Sequence, residues 1–192
     1  MRIEDGRGTG REAGVSPESR LLVAATVDQE AAAAAAVGNA FTITSGFTPL
    51  VANAGESGVL YVKNTSERPL RIAILEITTK AATKVRIYRN PTSGTLPESG
   101  LQATVTNMNF GSSREFIGKA LRGSSGDTIT DGEIFSTVHL ASGGPFTSAI
   151  PTNVLLPTGS SIAVSFESES PTANSASAQI LIYRSPAVTP EE

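Results

Sequence analysis

Ile162-Ala163-Val164-Ser165-Phe166-Glu167 sets a large apolar side chain at every second position, with small or polar ones between. That period turns Ile162, Val164 and Phe166 to one face of an extended chain and predicts a β-strand with one side in a core. Downstream, Ala178-Gln179-Ile180-Leu181-Ile182-Tyr183-Arg184 predicts a second strand that stops before Pro186, which cannot donate to a ladder. Upstream, 58–64 (Gly-Val-Leu-Tyr-Val-Lys-Asn) is apolar on both faces near its middle, as a central strand would be.

The same signal recurs along the chain. Phe41-Thr42-Ile43-Thr44 is the first strand of the block, and Val85 and Ile87 alternate with Lys84 and Arg86. Leu70, Ile72 and Ile74 share one phase, while Leu75 and Ile77 shift to the other; either a β-bulge or burial on both sides accounts for that. Weaker strand signals lie at 115–117, 134–140 and 153–156. Short strands closed by Gly, Pro, Asn or Ser, with no helical stretch between them, predict an all-β antiparallel β-sandwich. A strand count near eight makes it jelly-roll-like.

The sandwich is expected over residues 40–185, with a C-terminal tail at 186–192. Residues 1–27 differ: glycines at Gly6, Gly8, Gly10 and Gly14 alternate with charges and little core-forming side chain. Such a segment loses much backbone entropy on ordering and buries little in return, so an extended N-terminal arm is expected, disordered when alone or ordered only against a partner. Ser19-Arg20-Leu21-Leu22-Val23-Ala24 is its one apolar patch and could add a strand to a neighbouring sheet edge. Between arm and sandwich, 28–39 holds Asp28, six alanines at 31–36 and Gly38. Alanine's helix propensity, an acidic cap and a terminal glycine predict a short Ala-rich helix. It could lie on its own domain or dock between subunits.

Composition excludes several functions. With no cysteine, disulfides and thiolate metal sites are out, and one histidine cannot build a multi-histidine centre. The formal charge is −3 and the basic residues are scattered, so no nucleic-acid footprint is expected. No apolar run reaches the length of a membrane span, and Met1-Arg2-Ile3-Glu4-Asp5-Gly6 lacks the apolar core of a secretory signal. His139 alternates with Val138 and Leu140 and so faces solvent or an interface. The acid- and glycine-rich 123–133 misses the calcium-loop spacing and is read as a solvated turn. Gly6-Arg7-Gly8-Thr9-Gly10 lacks the lysine and flanking elements of a phosphate loop. Asn64-Thr65-Ser66 is read as a turn, and Glu167 and Glu169 as carboxylates in water. No residue set supports an enzyme, and no cofactor or metal is expected.

Four segments in order resemble a family of tailed-phage virion structural proteins, of the head-decoration or cement kind. They are Ile3-Glu4-Asp5-Gly6-Arg7-Gly8-Thr9-Gly10 followed by Ala13, Val15, Arg20 and Leu21; Ala40-Phe41-Thr42-Ile43 before 56–64; Asn107-Met108-Asn109-Phe110-Gly111-Ser112-Ser113; and 156–164, a Pro-x-Gly-Ser-Ser turn into a strand. The resemblance implies a protein of the virion, assembled in the host cytoplasm, that decorates or cements the capsid through its arm. It implies the major capsid protein or other virion subunits as partners, and a homo-oligomer, trimer or dimer, with neither nucleic acid nor membrane bound. Gly6, Gly8, Gly10, Val15, Arg20, Leu21 and Leu22 would then make the lattice contacts, and Ala31, Ala34 and Ala35 the docking face of the helix. Two other functions suit the fold: a tail, baseplate or head-fibre component with receptor-facing loops, and a carbohydrate-binding module. The absence of Trp and a count of three Tyr weigh against the last.

Overall fold

The structure is a computed structural model that describes residues 30–52, 55–141 and 154–184 in full. It also describes the backbone of Ile3–Glu4, Glu12–Val15, Leu21–Leu22 and Pro145–Ser148. The described chain is a β-sandwich of two antiparallel sheets. The arm contributes β1 (Ile3–Glu4), β2 (Glu12–Val15) and β3 (Leu21–Leu22), and helix α1 (Glu30–Ala36) follows. Then come β4 (Ala40–Thr44), β5 (Thr48–Leu50), β6 (Ser57–Asn64), β7 (Leu70–Thr79) and β8 (Thr83–Arg89). Helix α2 (Thr95–Ser99) precedes β9 (Leu101–Gln102), β10 (Thr104–Asn107), β11 (Gly118–Arg122) and β12 (Glu133–Leu140). The last four are β13 (Pro145–Ser148), β14 (Val154–Leu156), β15 (Ser161–Ser168) and β16 (Asn174–Arg184).

The first sheet runs β10-β4-β16-β7-β13, with β5 also on β16 and β14 also on β7; the second runs β12-β8-β15-β6-β11-β9. Strand pairs nest as in a jelly roll: β6 with β15, β7 with β13 and β14, β8 with β12, and β9 with β11. The departure is β16, which enters beside β7 and brings β4 with it.

The inward faces meet in one core. Phe41, Ile43, Leu75 and Ile180 from the first sheet face Leu60, Val85, Val164 and Phe166 from the second, all but fully buried. Ile162, Val164 and Phe166 share that face as their period predicts. The phase change in β7 is a bulge: Ile74 pairs Leu181 and Ile72 pairs Ile182, leaving Ala73 extra. β6 carries a second bulge at Val59, between Gly58 and Leu60. Both faces of β6 are buried because α2 and 123–132 cover its outer side, where Tyr61, Tyr88, Leu96, Leu121 and Ala163 form a second cluster.

Two sequence expectations need correction. Glu115-Phe116-Ile117 is not a strand; it leads into β11, whose Gly118 start hid the signal. The strands are interrupted by a short helix, α2, and β5, β9, β10 and β13 form where the sequence shows no clear apolar alternation. In the arm, β2 pairs antiparallel with β1, Ala13 to Ile3, and with β3, Val15 to Leu21.

Helix α1 ends as its glycine predicts. The Gly38 and Asn39 amides donate to the Ala35 and Ala34 carbonyls at 2.9 and 2.7 Å, and Gly38 takes a φ of 72°. That is a left-handed helix stop in which only glycine is unstrained. A Cβ at Gly38 would also collide with Ser112 Oγ, whereas one at Gly46 (φ 65°) meets open space. Gly46→Ala is therefore expected to cost about 1–2 kcal/mol, the left-handed penalty alone, and Gly38→Ala clearly more. Urea unfolding measures both, and an inverted order would refute the packing of Ser112 against the helix end.

Candidate functional site

Glu56 stands just ahead of β6 and reaches over the outer face of the second sheet. Its Oε1 accepts hydrogen bonds from the Tyr88 hydroxyl (2.5 Å) and from Ser165 Oγ. Its Oε2 accepts from Arg86 Nη1 at 2.6 Å, and Arg86 Nη2 bridges on to Glu167 at 2.8 Å. Arg86, Tyr88, Ser165 and Glu167 share this face because β8 and β15 pair Arg86 with Ser165 and alternate in step. Both oxygens of Glu56 are engaged, and the fork of Arg86 joins two carboxylates, so the cluster is a closed clamp. Glu167 thus belongs to this network and not to free water, and Glu169 lies 3.2 Å from His139 Nδ1. His139 is exposed, as alternation predicts.

The acid-rich turn uses its carboxylates internally. Asp131 accepts from the Thr92 hydroxyl and from the amides of Thr92 and Ser93, and these bonds hold its carboxyl down to about 2. Asp127 accepts from Ser124 N and Thr95 Oγ1. Among the described residues no group of three or more His, Cys, Asp or Glu is placed to hold a metal ion. No described helix is long and apolar enough to cross a membrane.

At one side of the sandwich, where β14 meets the ends of β8 and β15, lies a pocket of about 490 Å³. Phe135, Leu155, Leu156 and Ile162 form its apolar lining, with Asn90 and Ser161 at its wall. Asn90, at a φ of 50°, donates its amide to the Ser161 carbonyl and accepts from the Ser161 amide. This reciprocal pair holds the wall, and asparagine tolerates that backbone better than other side chains.

The opposite side carries the sharper surface feature. After β10 the chain turns through 108–113, and Phe110 is left 90% exposed. The loop around it is fixed. Asn107 Nδ2 donates to the Gly38 and Arg114 carbonyls, and its Oδ1 accepts the Asn109 amide. Asn109 Nδ2 donates to the Ala36 carbonyl at the end of α1, and its Oδ1 accepts the Gly111 amide. Val37 and Met108, also exposed, flank the same loop.

The anticipated contact residues fall into two groups. Val15, Leu21 and Leu22 lie in β2 and β3, while Gly6, Gly8, Gly10 and Arg20 lie outside the described residues. Ala31, Ala34 and Ala35 pack on the chain's own Ala40, Ala73 and Tyr183, the first of the two arrangements open to the helix. In the sequence Phe110 stands out only as part of the segment 107–113 that resembles virion proteins. The pattern that could have singled it out is Asn at 107 and 109 followed by Phe-Gly, side-chain-locked turns around an apolar tip. Comparison with known proteins adds no assignment: no protein-family model matches the chain, and no curated protein matches it.

All three tyrosines are pushed above their ordinary 10.0: Tyr61 and Tyr183 by burial first, and Tyr88, by burial and then its bond to Glu56, to about 12. A folded value above the unfolded one gives stability that is complete below pH 10 and lost as pH rises through about 12. The urea midpoint is expected to fall steadily between pH 10 and 12. Tyr88→Phe, though less stable at pH 8, is expected to show a shallower fall; an unchanged slope would remove Tyr88 from that account.

Proposed function

We propose that this chain is a structural protein of a tailed-phage virion that decorates or cements the capsid shell. Its partners are the major capsid protein or other virion subunits, and it works as a homo-oligomer, dimer or trimer. The observation that carries this reading is Phe110: an aromatic ring 90% exposed on a loop that two asparagines hold rigid. A preorganised aromatic loses little entropy on docking, and such residues anchor protein contacts. The loop is bonded to the end of α1, the element through which the arm joins the sandwich. Arm and anchor therefore start from one rim of the domain.

Two further features support assembly. The Glu56 clamp is saturated by its own neighbours, so its carboxylate serves the fold. The strands of the arm are two to four residues long, too short for a sheet that stands alone, so a neighbouring subunit would supply what they lack. The four sequence segments that resemble virion proteins span the same arm, loop and strands.

Deleting residues 1–27 is expected to leave a folded sandwich, because every core cluster of the described residues lies beyond residue 30. The truncated protein should fail to sediment with purified capsid shells. Phe110→Ser should change folding stability by no more than about 0.5 kcal/mol and still weaken shell binding. Shell binding unchanged in both variants would end the cement reading.

A further inference from the structure

Where β6 and β16 end and β11 begins, three arginines gather. Arg68 lies in the turn between β6 and β7, Arg114 between β10 and β11, and Arg184 at the end of β16. A cleft of about 400 Å³ is lined there by Thr65, Ser66, Glu67, Arg68, Ile117 and Arg184. Arg68 is set in a rigid turn: its carbonyl accepts from the side chains of Asn64 and Ser66, and Asn64 is fully buried. Arg184 is fixed by its amide on the Asn39 carbonyl at 3.0 Å.

The donors here outnumber the acceptors. Arg184 Nη2 reaches the Glu115 carbonyl at 3.3 Å, while its Nε is buried without an acceptor. Arg114 spends one nitrogen on Asn39 Oδ1 at 2.7 Å. Among the described residues none of the three forms an ion pair, and Glu67, which lines the same cleft, bonds to none of them. Arg68 and Arg114 are exposed, while Arg184 is half-buried, and an unmatched donor there is costly. The cations are close enough that, after burial, Arg114 and Arg68 push the Arg184 pKa down.

We propose that this cleft is an oxyanion site, taking a phosphate or carboxylate group between the guanidinium groups of Arg68 and Arg184, with Arg114 adding positive charge at the rim. Planar guanidinium forks suit two-oxygen acceptors. An anion there would accept from the exposed guanidinium of Arg68 and relieve the mutual repulsion of the three cations. Ser66 uses its hydroxyl hydrogen on Asn64 and Arg68, so it contributes shape and not a donor. This site is independent of any role in a capsid, because it is defined by the chain's own arginines around the cleft.

The test uses full-length protein at constant ionic strength, replacing chloride first by inorganic phosphate and then by acetate. Isothermal titration calorimetry should show saturable binding of phosphate, with a matching rise in melting temperature. Arg68→Gln and Arg184→Gln should each weaken that binding about tenfold or more, the value of one charge-assisted hydrogen bond. Arg68 makes no side-chain bond to the described residues, so its variant keeps the test valid should Arg184→Gln fold poorly. Saturable acetate binding with the same arginine dependence extends the site to carboxylates, and phosphate binding alone restricts it to phosphate. A rise in melting temperature that never saturates and survives Arg68→Gln is general salt stabilisation, and it would overturn the proposal.

Discussion

Strand β16 holds the molecule together. It pairs along its length with β7 on one side and with β5 and then β4 on the other, so the final strand welds the first strands of the sandwich to its middle. Its alternation is strict. Ala176, Ala178, Ile180 and Ile182 are fully buried against the second sheet, while Tyr183 turns outward and receives α1. A slip of one residue would put Ile180 and Ile182 in water and remove the seat of the helix at once. The position of the arm's root and that of Arg184 both follow from this register.

Buried polar groups fix what apolar packing leaves loose. Asn64 donates to the carbonyls of Arg68 and Leu156 and accepts from Ser66, tying the β6–β7 turn to β14 across the first sheet's edge. Asn174 does the same at the start of β16, where it meets Thr83, Ser168 and the Ala81 amide. Each is satisfied several times over, so each specifies register without leaving an orphaned group. The Glu56 clamp adds the same kind of lock on the outside of the second sheet.

Much of this was legible in the residues. The periods of 162–167, 178–184, 58–64 and 85–87 yield central strands because burial on one or both faces leaves a strong pattern. The bulge in β7 showed as a phase change at Ile74 and Leu75. What stayed hidden has physical reasons. β5 and β10 are edge segments of three and four residues with mixed exposure, too brief to carry a period. The partners of Glu56 lie 30 to 109 residues away, and sequence spacing does not report such contacts. The arginine cleft likewise joins three separate turns and strand ends.

Helix α1 is held lightly for an element placed between an arm and a core. Its face is alanine, and Glu30 fastens the leading end through Tyr183 at 3.1 Å and Arg71 at 3.6 Å. A pull transmitted to Glu30 would meet those two contacts before it reached the ladders of the first sheet. Seven helical residues span roughly 10 Å and, drawn out, roughly 23 Å. The helix can thus act as a mechanical fuse, releasing slack before the sandwich itself is strained.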